Sequence, residues 1–192
     1  MKKILTKLKV NDNITPLELT SSKNETVLLP NPEKITHIQF RRFAGCPICN
    51  LHIQSVMKAK EEIENKGIAE VIVFHSTLKE LQLYADDIPF PTIADAEKKL
   101  YHQFGVDKSV KSLLNPPSWP GMFGGVFYSL WETIKKGKRI PPVNATGGSF
   151  GLPADFLISP QGKILAVKYG THADDQWSVS EILQLADRFN NK

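Results

Sequence analysis

The sequence predicts an α/β fold with a central mixed β-sheet flanked by helices. Three observations support this prediction: two β-type segments enclose a helical pattern in the first half, capping boxes open two further helices, and a hairpin pattern lies near the end. The 192 residues match the length of one domain with a full core, so we expect residues 1–192 to form a single domain.

The first half of the chain alternates between strand and helix patterns. Residues 35–43, ITHIQFRRF, are rich in β-branched and aromatic side chains and predict a strand. Residues 69–75, AEVIVFH, form an apolar run that predicts a strand covered on both faces. Between them Gly67 marks a helix end, and the helical stripe consists of Ile53, Val56, Met57, Lys60 and Ile63.

The next segment repeats this order of elements. Thr77 and Glu80 have the spacing of a capping box, which predicts a helix through Ala85. The sequence FPTIAD at 90–95 predicts a short strand. The following segment, AEKKLYHQFG, predicts a helix that ends at Gly105.

The last part predicts a hairpin and a closing helix. ADFLIS and KILAVKYG flank the turn sequence PQGK, and Ser178 with Glu181 forms a second capping box. Strands that alternate with helices form parallel pairs, whereas the hairpin adds antiparallel strands. This succession predicts the thioredoxin-like fold.

Residues 107–150 interrupt the pattern as a long irregular insertion within the domain. They contain five prolines, six glycines and two of the three tryptophans. Connections of this length are usually functional or mobile. We interpret the segment as a lid, a dimer contact or a patch that closes the core.

Composition and charge exclude several classes of protein. The net charge is +4, and the two basic runs, 2–9 and 135–139, accompany no nucleic-acid-binding motif. We interpret them as solvated surface. The apolar stretches are too short for a signal peptide or a bilayer span. We therefore expect a cytoplasmic protein that binds neither nucleic acid nor membrane.

The chain has only two cysteines, Cys46 and Cys49, in the sequence CPIC after the first predicted strand. At the start of a helix, backbone N–H groups and the helix dipole favour a thiolate, and Pro47 suits the first helical position. Arg41 and Arg42 lie on opposite faces of the strand, so that one of them adds positive potential near the thiolate. The spacing predicts a redox-active pair.

Two other interpretations of the pair remain open. Both cysteines could be small buried apolar residues, as free cysteines often are. Alternatively, Cys46, Cys49 and His52 could bind zinc or copper(I), with His75 or His172 as a further ligand. Without a metal, we expect His52 on the helix surface and His75 at a strand end.

The chain resembles the peroxiredoxin-like group of the alkyl hydroperoxide reductase/thiol-specific antioxidant family. LKVNDNITPLELTSSKNETVLL resembles that family's N-terminal β-hairpin, VFHSTLKELQLYADDIPFPTIADAEKKLYHQFGV its central segment, and GLPADFLISPQGKILAVKYGTHADD its late hairpin. The resemblance implies a thiol-dependent antioxidant oxidoreductase in which Cys46 attacks the substrate. It implies no bound cofactor, an external reductant of the thioredoxin or glutathione type, and a possible homodimer.

Three positions depart from the pattern of ordinary peroxiredoxins. Where those enzymes carry Pro and Thr or Ser before the attacking cysteine, this chain has Gln39 and Phe43. Where they carry an Arg before the late strand, this chain reads GLPAD. These departures leave open whether the substrate is a peroxide or a disulfide.

Pro153 in GLPAD stands where thioredoxin-like disulfide reductases carry a cis-proline opposite the cysteine pair. The Leu152–Pro153 bond is therefore expected to be cis, which would favour a disulfide reductase without peroxidase activity. The preferred hypothesis remains a peroxiredoxin-like enzyme that cycles Cys46 and Cys49 between dithiol and disulfide. Pro47, Pro153 and Arg42 are its supporting residues.

Overall fold

The computed structural model describes residues 6–106 and 151–190. The predicted insertion at 107–150 lies outside them. The strands are β1 (Leu17–Thr20), β2 (Thr26–Leu29), β3 (Ile35–Arg41), β4 (Ile68–Phe74), β5 (Thr92–Ala94), β6 (Ala154–Ile158) and β7 (Ile164–Tyr169). The helices are α1 (Pro47–Lys58), α2 (Lys60–Asn65), α3 (Leu78–Tyr84), α4 (Lys99–Gln103) and α5 (Val179–Asn190).

Five strands form a mixed sheet in the order β5-β4-β3-β6-β7, with β3 in the centre. β3 pairs in parallel with β4, and β4 in parallel with β5. β6 is antiparallel to both β3 and β7. β1 and β2 form a separate antiparallel hairpin. The mixed sheet, the N-terminal hairpin and the late hairpin confirm the predicted fold class.

Two apolar clusters cover the two faces of the sheet. On one face the buried side chains of α1, α2, α3 and α5 include Ile53, Val56, Ile63, Leu81, Ile182 and Ala186. On the other face the buried side chains come from α4, the residue that follows it and the N-terminal hairpin, and include Leu100, Tyr101, Phe104, Val27 and Leu29. Because β3 is buried on both faces along its whole length, every polar side chain on it needs a partner inside the protein.

Both capping boxes form as predicted. The Thr77 hydroxyl accepts from the Glu80 N–H, while the Glu80 carboxylate accepts from the Thr77 N–H. Ser178 and Glu181 make the same reciprocal bonds before α5. These bonds satisfy N–H groups that the first turn of a helix leaves without partners.

Two helices differ from their predicted extents. The helix predicted to end at Gly67 breaks at Ala59, whose N–H is shared between the carbonyls of Ser55 and Val56 at 3.2 Å each. Such a shared bond tightens the last turn and ends α1. α4 begins only at Lys99, because the carboxylate of Asp95 accepts from the N–H groups of its first residues. Neither effect has a periodic signature in the sequence.

The topology brings the ends of β3 and β4 to one edge of the sheet, since parallel strands end at the same edge. The segment Arg42–Gly45 leads from β3 to Cys46, and His75 and Ser76 follow β4 directly. β6 begins beside Phe40 and therefore brings Pro153 to this edge as well. No helix in the described ranges is long and apolar enough to cross a membrane.

The structure distinguishes two glycines that both have a left-handed backbone. A Cβ on Gly105, at φ +65°, would lie 2.5 Å from the Thr6 carbonyl oxygen, whereas one on Gly67, at φ +71°, would meet nothing closer than 4.0 Å. We expect Gly67→Ala to lower the free energy of unfolding by about 1–2 kcal/mol through backbone strain alone. Gly105→Ala should lower the free energy of unfolding by at least about 1 kcal/mol more than Gly67→Ala does, because the Thr6 backbone must move.

Urea denaturation of the two variants measures this difference. Equal losses of stability would contradict the close approach of the N-terminal segment to α4.

Candidate active site

Cys46 and Cys49 lie at the start of α1, at the edge of the sheet where β3 and β4 end. Cys46 directly precedes the helix, which begins at Pro47 as predicted, and Cys49 lies in its first turn. Both are free thiols, with exposed fractions of only 2% and 1%. They belong to the apolar cluster between α1 and the sheet. The site is therefore a buried dithiol at a helix N-terminus.

The two sulfur atoms have different electrostatic roles. The hydrogen bond to Cys46, burial and the charge of Cys46 raise the pKa of the Cys49 thiol well above its ordinary value. Arg42 acts in the opposite direction through its charge and a backbone hydrogen bond. The Cys49 thiol is therefore the donor in the hydrogen bond to Cys46. Cys46 directly precedes α1, so its sulfur lies at the helix N-terminus, where negative charge is favoured.

Two hydrogen bonds join the segment before Cys46 to the residues after β4. The His75 N–H donates to the Arg42 carbonyl at 3.2 Å, and the Ala44 N–H donates to the Ser76 hydroxyl at 3.0 Å. The Cys46 N–H then closes a turn onto the Phe43 carbonyl at 3.1 Å. The position of Cys46 is therefore set by two strands rather than by α1 alone.

Tyr101 of α4 reinforces this edge of the sheet from the opposite face. Its buried hydroxyl donates to the carbonyls of Arg41 and Val73, which lie near the ends of β3 and β4. Burial, followed by the charges of Asp95 and Cys49, raises the pKa of Tyr101 well above its ordinary value. The phenol therefore stays a neutral donor.

A buried polar network lies beneath α1. His37, Gln39 and Arg41 alternate along β3, and the partner carboxylates come from Glu70 of β4 and Asp155 of β6. The Arg41 guanidinium donates to Asp155 at 2.7 Å and to Gln39 at 2.6 Å. His37 contacts Glu70 at 2.9 Å and Asp155 at 3.3 Å. Two cations and two carboxylates therefore balance inside the core.

The charges of this network follow from its contacts. Burial alone would lower the pKa of His37, but the charge of Glu70 and hydrogen bonds to Asp155 and Glu70 raise it to about 9. Burial would raise the pKa of Asp155, but the Arg41 guanidinium and the His37 ring hold it well below its ordinary range. His37 is therefore an imidazolium at neutral pH.

The structure corrects the expectation for His52. Instead of lying on the helix surface, its ring points toward the sheet, where Nε2 lies 3.2 Å from the Arg41 guanidinium. Because a guanidinium can only donate, this Nε2 is an acceptor. Burial and the charge of Arg41 lower the pKa of His52 to about 3. The α1 stripe thus includes a neutral histidine that joins the helix to the network. His75, by contrast, lies at the predicted strand end.

The structure also corrects the expectation for Pro153. Among the described residues the only cis peptide bond is Leu29–Pro30, so the Leu152–Pro153 bond is trans. The Gly170 N–H donates to the Pro153 carbonyl at 2.9 Å and extends the β6–β7 ladder by one residue. Pro153 lies at the same edge of the sheet as the cysteines, without the cis geometry expected of a disulfide reductase.

The positions that depart from ordinary peroxiredoxins have other roles here. Gln39 belongs to the buried network, and Phe43 is buried in the same apolar cluster as the cysteines. In place of the missing late arginine, Gly151 lies against Arg42 and His75. A Cβ on it would meet the Arg42 Cγ at 4.0 Å and the His75 Nε2 at 3.2 Å. Arg42 also acts on the dithiol, since its charge lowers the pKa of Cys49 against the larger effects that raise it.

The metal-binding alternative finds no support in residues 6–106 and 151–190, where no three His, Cys, Asp or Glu side chains could hold an ion together. His52 contacts Arg41 instead of extending the cysteine pair, and the His172 Nδ1 accepts from the Asp174 N–H.

Fold and site together define a thiol-based oxidoreductase. The family model of the AhpC/TSA antioxidant enzymes matches residues 55–172, more than half of the chain. The chain belongs to this family of thiol-dependent antioxidant oxidoreductases. Both cysteines precede the matched segment, so their roles depend on the geometry described above. A comparison with curated proteins finds no significant match.

Solved peroxiredoxin structures share the fold at low sequence identity. Peroxidoxin BcpB from Mycobacterium tuberculosis is 16% identical, with a TM-score of 0.64 over 94% of this chain and 97% of that one. A mutant of peroxiredoxin 6 from Arenicola marina is 14% identical, with a TM-score of 0.66 over 95% of this chain and 74% of that one. A 2-Cys peroxiredoxin from Plasmodium vivax is 14% identical, with a TM-score of 0.64 over 95% of this chain and 82% of that one. At such identities the likeness establishes the fold alone.

Sequence reasoning missed Ser76, Tyr101 and the carboxylates of the network. Each acts through a contact between residues far apart in the chain, and none has a spacing signature. The one available signal was that His37, Gln39 and Arg41 alternate within a strand. A strand with polar side chains on one face is ordinarily interpreted as having that face in water.

The network predicts a specific dependence of stability on pH. Because the pKa of His37 is raised from 6.5 to about 9 in the folded protein, its contribution is fully present below pH 6.5 and is lost as the pH rises through about 9. We expect His37→Asn to lower the free energy of unfolding by about 3 kcal/mol near pH 6. The difference from wild type should shrink towards pH 10.

Urea denaturation of both proteins across this range tests the prediction. A difference in stability that is independent of pH would show that His37 is neutral in the folded state.

Proposed function

We propose that this protein reduces peroxides, with Cys46 as the attacking cysteine and Cys49 as the resolving one. The observation that carries the proposal is the buried dithiol itself, in which the Cys49 thiol donates a hydrogen bond to Cys46 at the start of α1. This arrangement supplies a nucleophile and, one helical turn away, a protonated thiol that reacts with its product.

The cycle has three balanced steps. The Cys46 thiolate attacks one peroxide oxygen, the O–O bond breaks, and the other oxygen leaves as an alcohol or water after taking up a proton. The Cys49 sulfur then attacks the Cys46 sulfenic acid, which forms the 46–49 disulfide and releases water. Two equivalents of an external thiol restore the dithiol and leave as a disulfide.

The burial of the pair favours a small peroxide over a protein disulfide. To reduce a disulfide, the attacking thiolate must align with both of its sulfur atoms. Because Cys46 and Cys49 have exposed fractions of only 2% and 1%, a bulky disulfide has little room to align in this way. A peroxide needs room for only two oxygens and a small substituent. The trans bond before Pro153 points in the same direction, because the cis geometry that would favour a disulfide reductase is absent there.

Arg42 supplies the positive charge that ordinary peroxiredoxins bring from the late strand. Its charge reaches the dithiol, since it lowers the pKa of Cys49 against the larger effects that raise it. The Arg42 side chain lies against the start of the late hairpin, since its Cγ is 4.0 Å from the position of a Cβ on Gly151. A guanidinium near the reacting oxygens stabilises the charge that develops on the leaving oxygen.

The external reductant is a thiol of the thioredoxin or glutathione type, so the cycle requires a reducing compartment such as the cytoplasm. Because both cysteines lie in one chain and within one helical turn, the disulfide forms without a second copy of the protein.

Two cysteine variants test the roles assigned to the pair. We expect Cys46→Ser to abolish peroxide consumption, because the nucleophile is gone. Cys49→Ser should react once and stop, because the sulfenic acid on Cys46 finds no resolving thiol. Mass spectrometry after one equivalent of hydrogen peroxide, with dimedone to trap sulfenic acid, distinguishes the two outcomes. Full turnover by Cys46→Ser would overturn the assignment.

Substitutions of Arg42 test its electrostatic role. Arg42→Met should slow the reaction with hydrogen peroxide by about tenfold, because the loss of a nearby cation is equivalent to roughly one unit of thiol pKa. Arg42→Lys keeps the charge and should retain most of the rate. Stopped-flow kinetics on the reduced proteins gives the comparison. Equal rates for both variants would mean that the charge of Arg42 does not act on the reaction.

A further inference from the structure

The segment that carries Cys46 depends on one side chain from outside it. Between the end of β3 and α1, the Ala44 N–H donates to the hydroxyl of Ser76, which is fully buried at 0% exposed. The neighbouring bond, from the His75 N–H to the Arg42 carbonyl, uses backbone atoms alone. Among these contacts between the two strand ends, Ser76 is thus the one that a side-chain substitution can remove.

This bond fixes the position from which Cys46 reacts. Ala44 itself is buried at 3% exposed, so its N–H could not turn to bulk water if the acceptor were lost. The segment would shift to find another partner, and Cys46 would move relative to the first N–H groups of α1 and to Arg42. Displacements of about 1 Å can cost about a hundredfold in rate at a reacting centre.

We propose that Ser76 is a positioning residue for the redox reaction. It acts through the Ala44 backbone and holds the Cys46 sulfur where the start of α1 and Arg42 stabilise a thiolate. The proposal rests on the proposed function in that it takes Cys46 as the attacking cysteine. It adds a residue from the segment after β4 that neither touches the substrate nor carries charge.

The first test measures thiol ionisation without peroxide. The rate of alkylation of Cys46 by iodoacetamide is followed against pH, with tandem mass spectrometry to resolve Cys46 from Cys49. We expect Ser76→Ala to move the midpoint of this profile to higher pH. It should also slow the reaction with hydrogen peroxide by about tenfold or more. Ser76→Thr keeps the hydroxyl and should restore both values toward those of wild type.

A matched control separates positioning from general loss of stability. Ser22 is also a buried serine, at 8% exposed, and its hydroxyl bonds to the Thr92 hydroxyl at 2.6 Å, away from the cysteines. Ser22→Ala should lower the stability without moving the alkylation profile. If Ser76→Ala loses stability as Ser22→Ala does and its profile is unchanged, Ser76 is merely structural and the proposal is overturned.

Hydrogen exchange on the wild-type protein keeps the proposal testable if Ser76→Ala fails to fold. The Ala44 amide should exchange slowly in the reduced protein, because it is buried and bonded to Ser76. Exchange at the rate of an unprotected peptide would overturn the proposal. Neither alkylation nor exchange requires a peroxide, so failure of this proposal is distinguishable from failure of the peroxidase function.

Discussion

The burial of the central strand is the constraint on which the rest of the structure depends. β3 is covered on both faces, yet it carries His37, Gln39 and Arg41 toward the helix layer. These side chains remain in the core only because β4 and β6 supply Glu70 and Asp155 at hydrogen-bonding distance. Removal of either carboxylate would leave a buried cation without compensation. The charged pairs therefore tie the three inner strands together in one register.

The redox site is built at the end of this same strand. Arg41, the last residue of β3, bonds through its side chain to the network and to His52 of α1, while its carbonyl accepts from Tyr101. The charge of the next residue, Arg42, acts on the dithiol. The two adjacent arginines thus have different roles. Arg41 joins α1 to the sheet through His52, and Arg42 acts on the cysteines through its charge.

Much of the fold was predictable because its signals are local. Both capping boxes, the turn at PQGK and the strand patterns of β3 and β4 depend on residues close together in the chain, and all of them formed as expected. The placement of the two cysteines at the start of a helix was predictable for the same reason. The trans bond before Pro153 and the contact of His52 with Arg41 were not, because tertiary contacts determine both. The acceptor role of Ser76 likewise exists only once β4 ends beside the cysteine segment.

A comparison of two oxidants on the same reduced wild-type protein tests most directly whether the dithiol reduces peroxides. Stopped-flow kinetics would give the second-order rate constants for hydrogen peroxide and for a small disulfide such as hydroxyethyl disulfide. If Cys46 is a thiolate that attacks peroxides, the protein should react with hydrogen peroxide about a hundredfold or more faster than free cysteine does. Hydrogen peroxide should also react faster than the disulfide. Reaction with peroxide no faster than that of free cysteine, together with rapid reduction of the disulfide, would show that the dithiol is a disulfide reductase instead.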